Sequence, residues 1–125
     1  MAKIIDSLVD YMLAARQAKL PAEVVQKGKS HTLDSLAAIV SGSTLKPGQL
    51  GLQHAREQAG KEECSVLGSN LKTTPIVAAF ANGMSGHADE TDDSNSQLHP
   101  GCAIVPAALA MAEAQNAAAR PYSER

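Results

Sequence analysis

Four carboxylates, Asp89, Glu90, Asp92 and Asp93, fall within five consecutive residues, with His87 before them and His99 after. Apolar, helix-like segments flank this stretch on both sides. A surface charge run usually mixes its signs along a solvated helix face; this one is acidic throughout and bounded by imidazoles. Three chemistries fit it. The first is structural, with Asp and Ser side chains capping neighbouring helices. The second is a metal site, since His, Asp and Glu supply nitrogen and oxygen ligands. The third is metal-free acid–base catalysis. Crowded carboxylates repel, which favours holding one of them protonated near neutral pH, and an imidazole can take or give a proton in the same range. Together such groups could remove a proton beside a carboxylate and protonate a leaving hydroxyl.

The metal reading loses two familiar forms. A calcium-binding EF-hand loop counted from Asp89 needs Gly at its sixth position and Glu at its twelfth, where Ser94 and Pro100 stand. No His-Glu-x-x-His zinc motif occurs. A metal-dependent hydrolase with another ligand set stays open. The acid–base reading has a gap of its own, because no Lys or Arg lies between Lys72 and Arg120. An acidic substrate would be repelled by this loop alone, so the missing cations are expected elsewhere in a longer chain or on a partner subunit. His31 and His54 fall in predicted helices and read as ordinary surface or core-edge histidines. Cys64 and Cys102 follow no metal spacing and read as packing thiols of a cytosolic protein.

The elements that must hold this loop are helices. Ile4, Ile5, Leu8, Val9, Met12 and Leu13 recur at helical spacing, predicting an amphipathic helix over about 2–18. Pro21 suits the first turn of a second helix, which carries Val24, Val25, Leu33, Leu36, Ala37 and Val40. It should stop near Ser41 and Gly42, where Gly permits a left-handed cap. Gly28 inside it costs about 1 kcal/mol relative to Ala, and so is expected to mark a close helix contact. A third helix spans about 47–59, before Gly60. The segment Cys64 to Gly68 reads as extended. Pro75 opens a fourth helix ending near His87, the acidic stretch is a loop, and a last helix runs over about 101–119, with Pro106 tolerated in its first turns.

Composition agrees with an all-α fold having at most a short extended segment near 64–68. With one Phe, two Tyr and no Trp in 125 residues, the core must come from Ala, Leu, Val, Ile and Met, which favours closely packed helices. A net charge of −2 with scattered Lys and Arg gives no basis for binding nucleic acid. No apolar run approaches the roughly 20 residues that cross a bilayer, so no membrane association is expected. The end of the chain, 119–125, reads as a loop leading onward, and a truncated product is expected.

The loop also has a resemblance. Asn82-Gly83-Met84-Ser85-Gly86-His87-Ala88-Asp89-Glu90-Thr91-Asp92-Asp93-Ser94, followed by His99-Pro100-Gly101, is similar to the signature of the MmgE/PrpD family, which includes 2-methylcitrate dehydratase and cis-aconitate decarboxylase. Leu20-Pro21-Ala22-Glu23-Val24-Val25 and Leu33-Asp34-Ser35-Leu36-Ala37 resemble the family's opening helices. The resemblance implies that residues 1–125 are part of a helical domain, lacking its C-terminal remainder and a further α+β domain. It implies a cytoplasmic lyase, a homodimer in full-length form. The reaction would be elimination or proton transfer on a small di- or tricarboxylate such as 2-methylcitrate, without cofactor or metal. Matched position by position, it implies His99, Glu90 and Ser94 as catalytic residues. His87, Asp92 and Asp93 would support them or bind substrate. Glu90 stands where the family has Asp, Ser94 where Thr is common, and Asp89 and Thr91 where many members have Leu and Phe. The family's later His and Lys residues are absent from these 125 residues, so this chain alone is expected to be inactive. The alternative is a non-catalytic helical fragment or interaction module.

Overall fold

The computed structural model describes residues 2–15, 18–91, 94 and 98–117. Among them are five helices and one short hairpin: α1 (Ala2–Ala15), α2 (Ala22–Gly42), α3 (Lys46–Gln58), β1 (Cys64–Ser65), β2 (Lys72–Thr73), α4 (Pro75–Gly86) and α5 (Gly101–Ala114). The all-α expectation holds, with a short extended segment where 64–68 suggested one. That segment is narrower than expected. Only Cys64 and Ser65 form a strand, and the chain then turns through Gly68 at φ +77°. It returns as β2, antiparallel, with Cys64 opposite Thr73 and Ser65 opposite Lys72. Two-residue strands carry no alternation to read, so β2 leaves no mark in the residue pattern.

α4 is the centre of the molecule and packs against α2, α3 and α5. Its buried positions, Ala78, Ala81, Asn82, Ser85 and Gly86, recur at helical spacing. α3 answers with Gly48, Gly51 and Ala55, and α5 with Gly101, Pro106 and Ala110. Ala55, Cys64, Val66, Ala78, Ala81 and Ala110 make the apolar core, edged by Leu52, Leu71 and Val77. The side chains are small because the backbones lie close. A Cβ added at Gly42 would meet the Ser85 carbonyl oxygen at 1.9 Å.

That contact corrects one expectation. Gly42 is the last residue of α2 and is not among the residues of positive φ; it is there for space, not for a left-handed cap. Gly28 is corrected in the opposite sense, since nothing lies within 4 Å of a Cβ built there. The last helix also ends at Ala114, before the expected 119. Asn116 adopts φ 49°, and its N–H and that of Ala117 reach back to the carbonyls of Glu113 and Ala112. This pair of bonds is a Schellman cap, and an Asn in the left-handed region stops an otherwise helix-favouring alanine run. Residues 118–125, including the expected onward loop, lie outside the described residues.

α1 is a stripe without a seat. Ile4, Leu8, Met12 and Leu13 are each more than half exposed, although their spacing is that of a core-facing helix. The first half of α2 is similarly open, and burial begins only at Ser35, Ala38 and Ile39. No described helix is long and apolar enough to cross a membrane.

Two glycine substitutions separate close approach from mere helix propensity. Gly42→Ala must push α4 away and should lower stability by about 3 kcal/mol. Gly28→Ala, in open space within a helix, should raise it by about 0.5–1 kcal/mol. Denaturant unfolding of the two variants beside the parent checks both signs.

Candidate functional site

The site is built where α4 ends and α5 begins. His87 is the C-cap residue of α4, its N–H bonded to the Gly83 carbonyl. The chain leaves through Ala88, whose N–H bonds Ser85 O, and returns at His99-Pro100. Pro100 precedes the first turn of α5, accepting the N–H groups of Ala103 and Ile104. The two helix ends come close because α4 presents glycine there. A Cβ at Gly83 would stand 3.1 Å from the Cys102 carbonyl oxygen, and one at Gly86 3.6 Å from the Cys102 Cβ.

This approach brings the two imidazoles together. The His87 and His99 rings lie 5.4 Å apart, centre to centre, tilted by 55°. His87 is exposed and His99 half-buried. The Cys102 thiol donates to the His99 carbonyl at 3.0 Å, fixing the turn that carries the ring. Beside the pair runs an apolar groove of about 570 Å³, lined by Ala79, Phe80, Gly83 and Met84 of α4, its capping His87, Cys102 and Ala103 of α5, and Pro47.

The other sequence-derived residues are placed less tightly. Glu90 and Ser94 are exposed, and neither makes a hydrogen bond or ion pair to another described residue. Glu90 has φ +55°, a left-handed conformation that costs a non-glycine residue about 1 kcal/mol. Asp89, next to it, accepts a hydrogen bond from the Thr91 hydroxyl at 2.7 Å. Asp92 and Asp93 lie outside the described residues. Among the described residues no group of three or more His, Cys, Asp or Glu side chains comes together as a metal site would require. His54 stacks edge-on against Phe80, at 5.4 Å between ring centres.

Sequence reasoning gave no role to Cys102 beyond packing, and none to Asn82 or Glu113. Asn82 carried a signal: Asn is a poor residue for a helix interior, and this one is buried with both ends of its amide bonded. Its Oδ1 accepts Leu67 N–H at 2.8 Å and its Nδ2 donates to Ser65 O at 3.0 Å. Cys64 is the inert thiol of the two. It is fully buried, it donates to Ala110 O, and burial raises its pKa, helped by the negative charges of Glu113 and Glu63.

Comparison with known proteins gives the family. The family model for the MmgE/PrpD N-terminal domain matches residues 6–122. The chain therefore belongs to the MmgE/PrpD family. It is 31% identical over 111 residues to the cis-aconitate decarboxylase-like protein oryM of Aspergillus oryzae, covering 87% of this chain and 23% of that protein. It is 28% identical over 116 residues to human cis-aconitate decarboxylase, covering 91% of this chain and 24% of the relative. The cis-aconitate decarboxylase of Aspergillus terreus is 28% identical over 96 residues, 75% of this chain and 20% of its own. The chain thus spans about a quarter or less of the length of these curated relatives. No solved structure is significantly similar to it.

Two outcomes test the site's local chemistry. Glu90→Gly should stabilise the fold by about 1 kcal/mol by relieving the left-handed backbone, read from the denaturation midpoint. Native alkylation with iodoacetamide should label Cys102 at least about ten-fold faster than Cys64, whose buried thiol resists ionisation; mass spectrometry of the labelled peptides gives the ratio.

Proposed function

We propose that this chain is the N-terminal helical part of an MmgE/PrpD-type lyase that acts on a small di- or tricarboxylate. The observation that carries the reading is the His87–His99 ring pair, assembled from the two residues that bound the acidic loop. The relatives support the substrate class, since they are named as cis-aconitate decarboxylases or as cis-aconitate decarboxylase-like. In this reading His99 moves the proton. In a dehydration it takes a proton from the carbon beside a carboxylate, the electron pair left behind forming the double bond as the neighbouring C–O bond breaks, or it gives a proton to the leaving hydroxyl, which departs as water. In a decarboxylation the carbon–carboxylate bond breaks, carbon dioxide leaves, and His99 delivers a proton to the carbon left behind. Glu90 with Ser94 would bind or polarise the leaving group, while His87, Asp92 and Asp93 would hold the loop and the His99 ring. The strained backbone of Glu90 suits such a role, because strain of this kind tends to be kept where function requires it.

The reading needs positive charge that residues 73–119 do not supply. We place it outside this stretch, in a larger helical domain or across a dimer, and take residues 1–125 to be inactive by themselves. No cofactor or metal is needed for either reaction. A docking role without catalysis is the second reading, favoured by the unseated apolar stripe of α1.

Turnover of cis-aconitate and 2-methylcitrate, followed by carbon dioxide release and by the absorbance of the alkene product, tests the assignment in the protein as its gene encodes it. His99→Ala should reduce kcat by about 100-fold or more. Full activity in that variant would remove His99 from the chemistry. Absence of turnover in the parent on any small polycarboxylate would favour the docking role.

A further inference from the structure

β1 is bonded to two helices at once, and they are the helices that carry the histidine pair. On one side, the Ser65 carbonyl and the Leu67 N–H are both taken by the Asn82 amide of α4. On the other, the Ser65 N–H and hydroxyl donate to the two carboxylate oxygens of Glu113 on α5, at 2.9 and 2.6 Å. The adjacent Cys64 thiol adds a bond to Ala110 O of α5. Ser65 is thus a strap between α4 and α5.

The packing beneath this strap does not by itself fix the two helices. Ala78, Ala81 and Ala110 set how closely they approach. Small round side chains, however, resist sliding and rotation poorly, whereas hydrogen bonds are directional and specify one arrangement. The bonds to Glu113 are charge-assisted and therefore strong. Asn82 is 1% exposed, so releasing its amide would strand polar groups in the interior. Both helices are stiff. α4 ends at Gly86 and is capped by His87, five residues beyond Asn82, and α5 opens two residues after His99. A ring contact at 5.4 Å survives only small errors in the setting of the helices, since functional groups need placement within about 0.5 Å and 10–20°.

We propose that Asn82 and Glu113 are positioning residues for the His87–His99 pair, acting through Ser65. Neither touches a ring. The claim concerns the geometry of the pair and stands whether or not the lyase reading does.

The test is the nuclear Overhauser cross-peak between the His87 and His99 rings, in protein labelled at histidine, with circular dichroism fixing a temperature at which each variant is folded. Asn82→Ala and Glu113→Ala each free the strap from one helix and should weaken the cross-peak several-fold or abolish it. Glu113→Gln, which can still accept from Ser65 N–H and offer an amide to its hydroxyl, should retain it. Thr73→Val is the control. It breaks the hairpin's bond to Ala59 O, 2.7 Å away near the end of α3, and should lower stability while leaving the cross-peak intact. Should Asn82→Ala fail to fold, Glu113→Ala decides alone, because Glu113 is only half-buried. An undiminished cross-peak in folded Glu113→Ala overturns the proposal. So does its loss in Glu113→Gln or in Thr73→Val.

Discussion

The backbone of α2 at Gly42 lies against the last turn of α4 so closely that a methyl group there would collide with the Ser85 carbonyl. The rest of the fold follows from contacts of this kind. A core nearly free of aromatic residues cannot fill wide spaces, so the helices must approach until alanine and glycine suffice. The largest fully buried side chains are Ile39, Asn82, Thr73, Pro106, Cys64 and Ser35, and only Ile39 is a large aliphatic group. Hydrogen bonds therefore carry much of the specificity that a jigsaw of bulky side chains would supply elsewhere. The same close approach at Gly83 and Gly86 brings the ends of α4 and α5 together, and with them the two histidines.

Much of this was legible in the sequence. Apolar residues at 3.6-residue spacing and prolines at helix starts located all five helices within a few residues, and the order of residues around the acidic loop pointed to the family. The failures have physical causes. Gly42 looked like a cap because sequence shows that a residue is small, not whether space or backbone conformation requires it. Gly28 failed in the reverse direction. Asn116 ended α5 early because a single left-handed residue outweighs a run of alanines. β2 was invisible because two paired residues have no period.

The site was legible in part. His87 and His99 bound the acidic loop in the sequence, but eleven residues lie between them, and only the antiparallel return of α5 along α4 sets their rings side by side. Glu90 and Ser94 are exposed and make no hydrogen bond to the pair among the described residues; the roles proposed for them rest on the match to the family signature. Asn82 and Glu113 could not have been paired from sequence, since both act through a serine in a strand of two residues. The apolar stripe of α1 and the lack of Lys and Arg from 73 to 119 point the same way: an isolated helix of 14 residues is marginal in water, and a carboxylate substrate needs a counter-charge.

The central claim is that a polycarboxylate reacts at the His87–His99 pair. A crystal structure of the protein with a bound tricarboxylate tests it most directly. The account predicts the acid seated at the mouth of the α4–α5 groove, within hydrogen-bond reach of the His99 imidazole, its carboxylates held by cations from outside residues 73–119. A tricarboxylate bound in a specific site beyond reach of His99 would contradict it.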